Sequence, residues 1–163
     1  MSQTTVKEYL ALQRRLDREI ERLSARLSHR LTCRPGCDSC CTLESVLPVE
    51  AQSISRAVAA LPAPVRRRLG GRPDHCPLLV DGLCAVYAHR PFICRTHGLP
   101  VGYADPDAGI IEVSACPRNF PPDARFTADT VLQMDPFTAE LQRLSRQLTA
   151  DGPPRRVHLR DLL

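Results

Sequence analysis

The sequence predicts an α+β fold: a small, metal-stabilised, cysteine-rich domain with short β-hairpins, flanked by a long N-terminal helix and a C-terminal helix. Three observations predict it. Apolar residues recur at spacings of four and three over residues 4–31, short apolar runs in the middle of the chain flank Gly-containing turns, and eight cysteines fall between Cys33 and Cys116. The 163 residues then divide into a helical segment 1–32, a cysteine-cluster segment 33–120 and a C-terminal helix and tail 121–163.

In the first segment, Leu12, Leu16, Ile20, Leu23, Leu27 and Leu31 form a stripe along one helix face. Thr4 or Thr5 is the expected N-cap, and the helix should run roughly 40 Å at about 1.5 Å per residue. Arg14, Arg18, Arg22, Arg26 and Arg30 follow one another on another face, interleaved with Asp17, Glu19 and Glu21. A row of that kind predicts a solvated, salt-bridged face; the other reading is a surface for an acidic protein or nucleic acid.

A second helix is expected over residues 48–60, with Pro48 in its first turn and Ile54, Ala57, Val58 and Leu61 facing inward. Pro62 and Pro64 end it, and Val65–Leu69 suits one further turn before Gly70-Gly71. Leu78–Val80 and Leu83–Val86 flank Asp81-Gly82, a two-residue turn that tolerates positive φ, so they predict a hairpin. A second hairpin is predicted from Leu99–Tyr103 to Ile110–Ser114. The last helix should start at Asp135 as N-cap, bury Phe137, Leu141, Leu144 and Leu148, and stop before Gly152. The tail from Arg155 to Leu163 carries no readable pattern.

Composition limits what the core can be. With no Trp, four Phe and three Tyr the core is aliphatic, and fifteen Pro with eight Gly imply many turns, so bound metal should supply part of the folding energy. The N-terminus has charges throughout and no apolar signal region, and there is no run of eighteen apolar residues. A reducing, cytoplasmic setting without membrane insertion is therefore expected, and in it disulfides are disfavoured. The formal charge of +4 counts the cysteines as neutral. Eight thiolates holding two Zn²⁺ would cancel that charge, so the basicity argues little for nucleic acid.

The cysteines run Cys33-x3-Cys37-x2-Cys40-Cys41, then Cys76-Pro77, Cys84, Cys94-Arg95 and Cys116-Pro117. Pro35 and Gly36 force a turn between the first two, letting a short loop wrap a tetrahedral thiolate site with sulfurs about 2.3 Å from the ion. Iron–sulfur loops use similar spacings, and a ligand Cys before Pro ends the bacterial ferredoxin run. The vicinal pair Cys40-Cys41 is awkward for one mononuclear ion, because adjacent side chains diverge. One of the two then serves a second metal, bridges within a cluster or stays free. All eight, Cys33, Cys37, Cys40, Cys41, Cys76, Cys84, Cys94 and Cys116, are candidate ligands, and His97 is a further candidate donor. Arg34, Arg90, Arg95 and Arg118 each lie within four residues of a cysteine, where positive charge lowers thiol pKa.

Together, CRPGCDSCC, CPLLVDGLCAVYAHRPFICR and the later Cys116-Pro117 resemble the YkgJ-like cysteine-cluster family, whose CxxxCxxCC-type domains are described as zinc- or iron-chelating. Gly82, Tyr87, Arg90 and Pro91 belong to the match, which covers about residues 33–120. The resemblance implies metal binding. Larger relatives join such a cluster to methyl transfer, but this chain is short for that architecture and has no separate Gly-rich cofactor loop, which argues against an enzyme. Thiolates suit zinc and iron alike. The vicinal pair and the Cys-Pro steps favour an iron–sulfur cluster over Zn²⁺ by a small margin. The alternative is a structural-zinc interaction module whose Arg-rich helix binds an acidic partner.

Overall fold

The N-terminal stripe becomes helix α1 (Gln3–Arg26) in the computed structural model, which describes residues 3–149 and 152–163. Met1, Ser2, Ala150 and Asp151, included in the terminal segments above, lie outside the described residues. Leu12, Leu16, Leu23 and Leu27 are buried along one face together with Tyr9, while Ile20 and Leu31 pack half-buried on the same core. The regular helix ends at Arg26 rather than Leu31: a tighter turn follows, in which Arg30 N–H bonds Leu27 O at 2.8 Å. Thr4 and Thr5 lie inside α1 and do not cap it.

After a two-residue strand β1 (Ser45–Val46), helix α2 (Pro48–Ala59) starts at Pro48 as expected and buries Val49, Ala51, Ile54 and Val58. Ala57 and Leu61 are only half-buried. Glu50 is buried as well, which the apolar pattern did not predict. Its carboxylate accepts Leu47 N–H at 3.1 Å, satisfying an orphan donor at the helix start, and Phe92 N–H at 2.9 Å. A single turn, α3 (Ala63–Arg66), follows.

The first hairpin forms as predicted, though with only two residues in each strand, β2 (Leu79–Val80) and β3 (Leu83–Cys84). Asp81 (φ 52°) and Gly82 (φ 74°) both take positive φ, the conformation a tight antiparallel turn requires. A 3-10 turn over Tyr87–His89 leads through Pro91 into α4 (Phe92–Thr96). Strands β4 (Val101–Asp105) and β5 (Ile110–Ser114) make the second hairpin, starting two residues later than expected because Asp105, at the end of β4, turns the chain. Its Oδ1 accepts the N–H groups of Asp107 and Ala108, and Gly109 N–H bonds its carbonyl at 2.9 Å.

A strand that the sequence did not announce, β6 (Leu132–Gln133), pairs in parallel with β4, giving the order β5-β4-β6. It delivers the chain into α5 (Asp135–Arg146), which buries Phe137, Leu141, Leu144 and Ser145 against α1. Met134, not Asp135, occupies the N-cap, because the Asp135 carboxylate is drawn away to accept Ala104 N–H from β4 at 3.0 Å. Thr5 Oγ1 donates to Gln147 Oε1 at 3.1 Å, tying the start of α1 to the end of α5. The tail is ordered too. Strand β7 (Val157–His158) pairs antiparallel with β1, and Leu159 is fully buried in a second core with Val46, Ile54, Val58, Leu78 and Val86.

Two cores result. One joins α1, α5 and the three-stranded sheet, and the other joins α2, the small hairpin and the tail, with Cys76 and Cys84 packed half-buried on it. Arg95 and Glu50 bridge them through α4. No helix among the described residues is long and apolar enough to cross a membrane.

Candidate metal centre

All eight cysteines are free thiols; Cys33 is exposed and the others are half-buried. Local turns set the first run. Cys37 N–H bonds Arg34 O at 2.9 Å and Cys41 N–H bonds Asp38 O at 2.8 Å, so the chain doubles back twice within nine residues. Pro35-Gly36 makes the first turn, with Gly36 at φ 87°.

Two neighbourhoods receive the remaining cysteines. Cys116 heads a turn whose carbonyl accepts Asn119 N–H and Phe120 N–H. That turn aims Asn119 and Arg118 at the first run. Asn119 Nδ2 lies 3.5 Å from Cys33 Sγ and donates to Gly98 O at 2.8 Å, while its Oδ1 accepts the N–H and hydroxyl of Thr32. Arg118 Nη1 lies 3.6 Å from Cys37 Sγ. Gly98 (φ 101°) passes so close that a Cβ there would sit 2.8 Å from Cys33 Sγ.

On the other side, Cys76 N–H bonds Cys41 O at 2.8 Å. Leu79 N–H bonds Cys76 O at 3.0 Å, and Leu79 pairs with Cys84 across the hairpin, which brings Cys76 and Cys84 together. The backbone N–H groups of Leu78 and Val86 oppose the upward shift that burial imposes on Cys76 and Cys84, respectively. Cys94 stands on α4, whose start is held by Glu50.

The electrostatics follow the same grouping. Burial pushes the Cys40 thiol up, and Cys37, Cys33 and Cys116 push it further. Burial and then Cys40, Cys76 and Cys84 raise Cys41 to about 11. Cys94 is driven far above the usual thiol range by burial, then by Cys76, Cys84 and Cys41. Cys76 and Cys84 are also raised, chiefly by burial, with Arg90 opposing the shift at Cys84. Crowded thiols of this kind stay protonated on their own, and a bound cation reverses that preference. Among the described residues, no three His, Cys, Asp or Glu side chains already stand in a geometry that would hold an ion. What the fold supplies is a set of soft sulfur donors gathered at neighbouring positions, and such donors suit zinc and iron.

The arginines divide in role. Arg90 lies over the Tyr87 ring, 3.5 Å from its centroid, and donates to Tyr87 O at 3.0 Å, which leaves its charge beside Cys84. Arg118 faces Cys37. Arg95, although next to Cys94 in sequence, turns away from the sulfurs. Its buried guanidinium donates to Asp17 of α1 at 2.9 Å, to Arg90 O at 2.8 Å and to Ala88 O. Arg95 is thus a clamp between α1 and α4, and not part of the thiols' surroundings. His97 is exposed by area, but surrounding atoms and then Arg90 depress its pKa and keep the ring neutral at pH 7. A cleft of about 500 Å³ lined by Thr42, His75, Pro77, His158 and Arg160 opens where Cys41 and Cys76 meet. A smaller hollow of about 230 Å³ lies over Arg34, Cys37 and Arg118.

Along α1, Arg22 pairs with Glu19, Arg26 pairs with Asp129, and Arg30 lies over the Phe120 ring. The basic row is largely solvated, with Arg14 and Arg18 exposed; of its interleaved acids Glu19 pairs within it, whereas Asp17 pairs with Arg95. Glu50, Gly98 and Asn119 were not foreseen as supports of the cysteines. Gly98 alone left a trace in the sequence, as a Gly closing the segment after Cys94; Glu50 and Asn119 act across distances that no local pattern records.

No curated protein and no solved structure is significantly similar to the chain. A family model matches residues 32–116, just over half the chain and spanning all eight cysteines; its description is "CxxCxxCC: Putative zinc- or iron-chelating domain". The run Cys33-x3-Cys37-x2-Cys40-Cys41 has one more residue in its first gap than that name spells. With the match covering more than half of the chain and all eight cysteines, this chain belongs to the CxxCxxCC family of zinc- or iron-chelating domains.

Proposed function

We propose that the chain binds an iron–sulfur cluster or zinc through Cys33, Cys37, Cys40, Cys41, Cys76, Cys84, Cys94 and Cys116, and that this binding completes the folding of its central segment. The observation that carries the reading is the gathering of free thiols from distant parts of the chain, with Cys76 bonded through the backbone to Cys41 and Cys84 paired with Leu79 across the hairpin. Eight free thiols brought together in this way are the donor set that a soft cation needs. The small hairpin supports the same reading, since two-residue strands are marginal without an added anchor. The vicinal pair and the two Cys-Pro steps favour the iron–sulfur form, and a redox or metal-handling role would go with iron, because zinc does not change oxidation state. In the arginine row, Arg22, Arg26 and Arg30 are engaged within the chain, which counts against an acidic partner at that end, while Arg14 and Arg18 are exposed.

The test is to purify the protein without oxygen and record its visible spectrum, metal content and acid-labile sulfide. Iron with matching sulfide and visible absorption is expected. Colourless protein with stoichiometric zinc and no sulfide eliminates the cluster form. A metal-free chain that stays folded under reducing conditions defeats the metal reading altogether.

A further inference from the structure

We propose that the eight cysteines form two separate four-thiolate sites, Cys33/Cys37/Cys40/Cys116 and Cys41/Cys76/Cys84/Cys94, with the vicinal pair divided between them. The inference rests on the metal-binding reading above and adds its stoichiometry and its ligand partition.

The backbone carries the division. The first four cysteines come from the looped run and from the Cys116 turn, which Asn119 ties to Cys33 and Thr32, and Arg118 to Cys37. The second four are assembled around the hairpin: Cys76 is bonded through the backbone to Cys41, Cys84 lies across the ladder, and Cys94 arrives on α4. Cys41 is thus the residue of the run that is tied to the hairpin, while Cys33, Cys37 and Cys40 stay on the side of the Cys116 turn. The two units touch at Gly36 and Gly82, where a Cβ on Gly82 would lie 3.7 Å from Gly36 Cα. The electrostatic neighbours agree. Beyond burial, the Cys40 pKa is raised by Cys37, Cys33 and Cys116, that of Cys41 by Cys40, Cys76 and Cys84, and that of Cys94 by Cys76, Cys84 and Cys41. Of the shifted thiols, the coupling that crosses between the sets joins the adjacent residues Cys40 and Cys41.

Chemistry makes the division sensible. The side chains of adjacent residues diverge from the backbone, so a vicinal pair feeds two centres more readily than one. Four thiolates fill a tetrahedral Zn²⁺ or the four corners of a cubane, and eight fill two. Arg118 beside the first set and Arg90 beside the second each offset part of the negative charge of a thiolate centre.

The experiment uses the full chain, reduced, metal-free and titrated with Zn²⁺ alone. Native mass spectrometry should show two zinc ions per chain. Partial removal with a chelator, followed by alkylation and peptide mapping, should give a one-zinc species protected either at Cys33, Cys37, Cys40 and Cys116 or at Cys41, Cys76, Cys84 and Cys94. A single zinc per chain, or protection that mixes the sets, overturns the division and leaves metal binding standing. A chain that binds no zinc, and takes up no cluster when supplied with iron and sulfide, overturns both. The double variant Cys33→Ser with Cys116→Ser should fall from two ions to one, and Gly98→Ala should weaken only the first site by pressing on the Cys33 sulfur. Loss of both ions from a variant that remains folded also overturns the division. The alkylation map needs no variant, so a variant that fails to fold does not decide the outcome.

Discussion

Replacing Glu50 with alanine should destabilise the protein by about 3 kcal/mol, and the loss should shrink as pH rises. Two backbone donors, the half-buried Leu47 N–H and the buried Phe92 N–H, depend on the two carboxylate oxygens at 3.1 and 2.9 Å. Each orphaned buried donor costs about 1–3 kcal/mol, and the better helix propensity of alanine returns only a few tenths. At about 2–4 °C per kcal/mol for a chain of this size, the melting temperature should fall by about 6–12 °C. The pH dependence has a definite sign. Burial raises the Glu50 pKa in the folded state, so the protonated form is the one the fold prefers. Its contribution is fully present below the unfolded carboxyl pKa and is lost as pH climbs through the raised folded value. Urea melts of the metal-free wild type and the Glu50→Ala variant at several pH values above 4 read both effects. A loss below about 1 kcal/mol, or one that grows with pH, would refute the reasoning. Phe92 opens α4, which carries Cys94, so the variant should also bind metal more weakly.

Three other outcomes are expected. Ser145 is fully buried, and its hydroxyl has no partner among the described residues, so Ser145→Ala should stabilise the fold by about 1 kcal/mol in the same melts; destabilisation would show that the hydroxyl is satisfied. Leu159→Ala should cost about 2–5 kcal/mol despite its place four residues from the C-terminus, because Leu159 is fully enclosed; an unchanged denaturation midpoint would mean the tail is not docked. Zinc loading at pH 7 should release protons, since Cys40, Cys41, Cys76, Cys84 and Cys94 are all shifted upward and enter as thiols. Calorimetry in buffers of different ionisation enthalpy counts them, and a buffer-independent heat would contradict the raised values.

The elements that the sequence announced are those whose cause is local. The α1 stripe repeats with the helical period, so its buried face could be read from residues three and four apart. Asp81-Gly82 encodes its own backbone conformation, and Pro48 marks a helix start because its φ is already set. The order of the cysteines, with Gly82, Tyr87, Arg90 and Pro91 between them, was enough to point to the family.

What the sequence could not announce depends on partners far along the chain. The two-residue strands β6 and β7 are too short to show a period, and they exist because β4 and β1 offer open edges. Asp135 looked like a cap and instead serves Ala104, while Arg95 looked like part of the thiols' surroundings and instead clamps Asp17. The vicinal pair showed from sequence that one simple four-cysteine ion was unsuitable. Which cysteines neighbour Cys40 and which neighbour Cys41 was set only when the Cys116 turn and the Cys76–Cys84 hairpin each met the run. Local patterns carry periodicity and turn chemistry, whereas assigning donors to a common neighbourhood requires the folded chain.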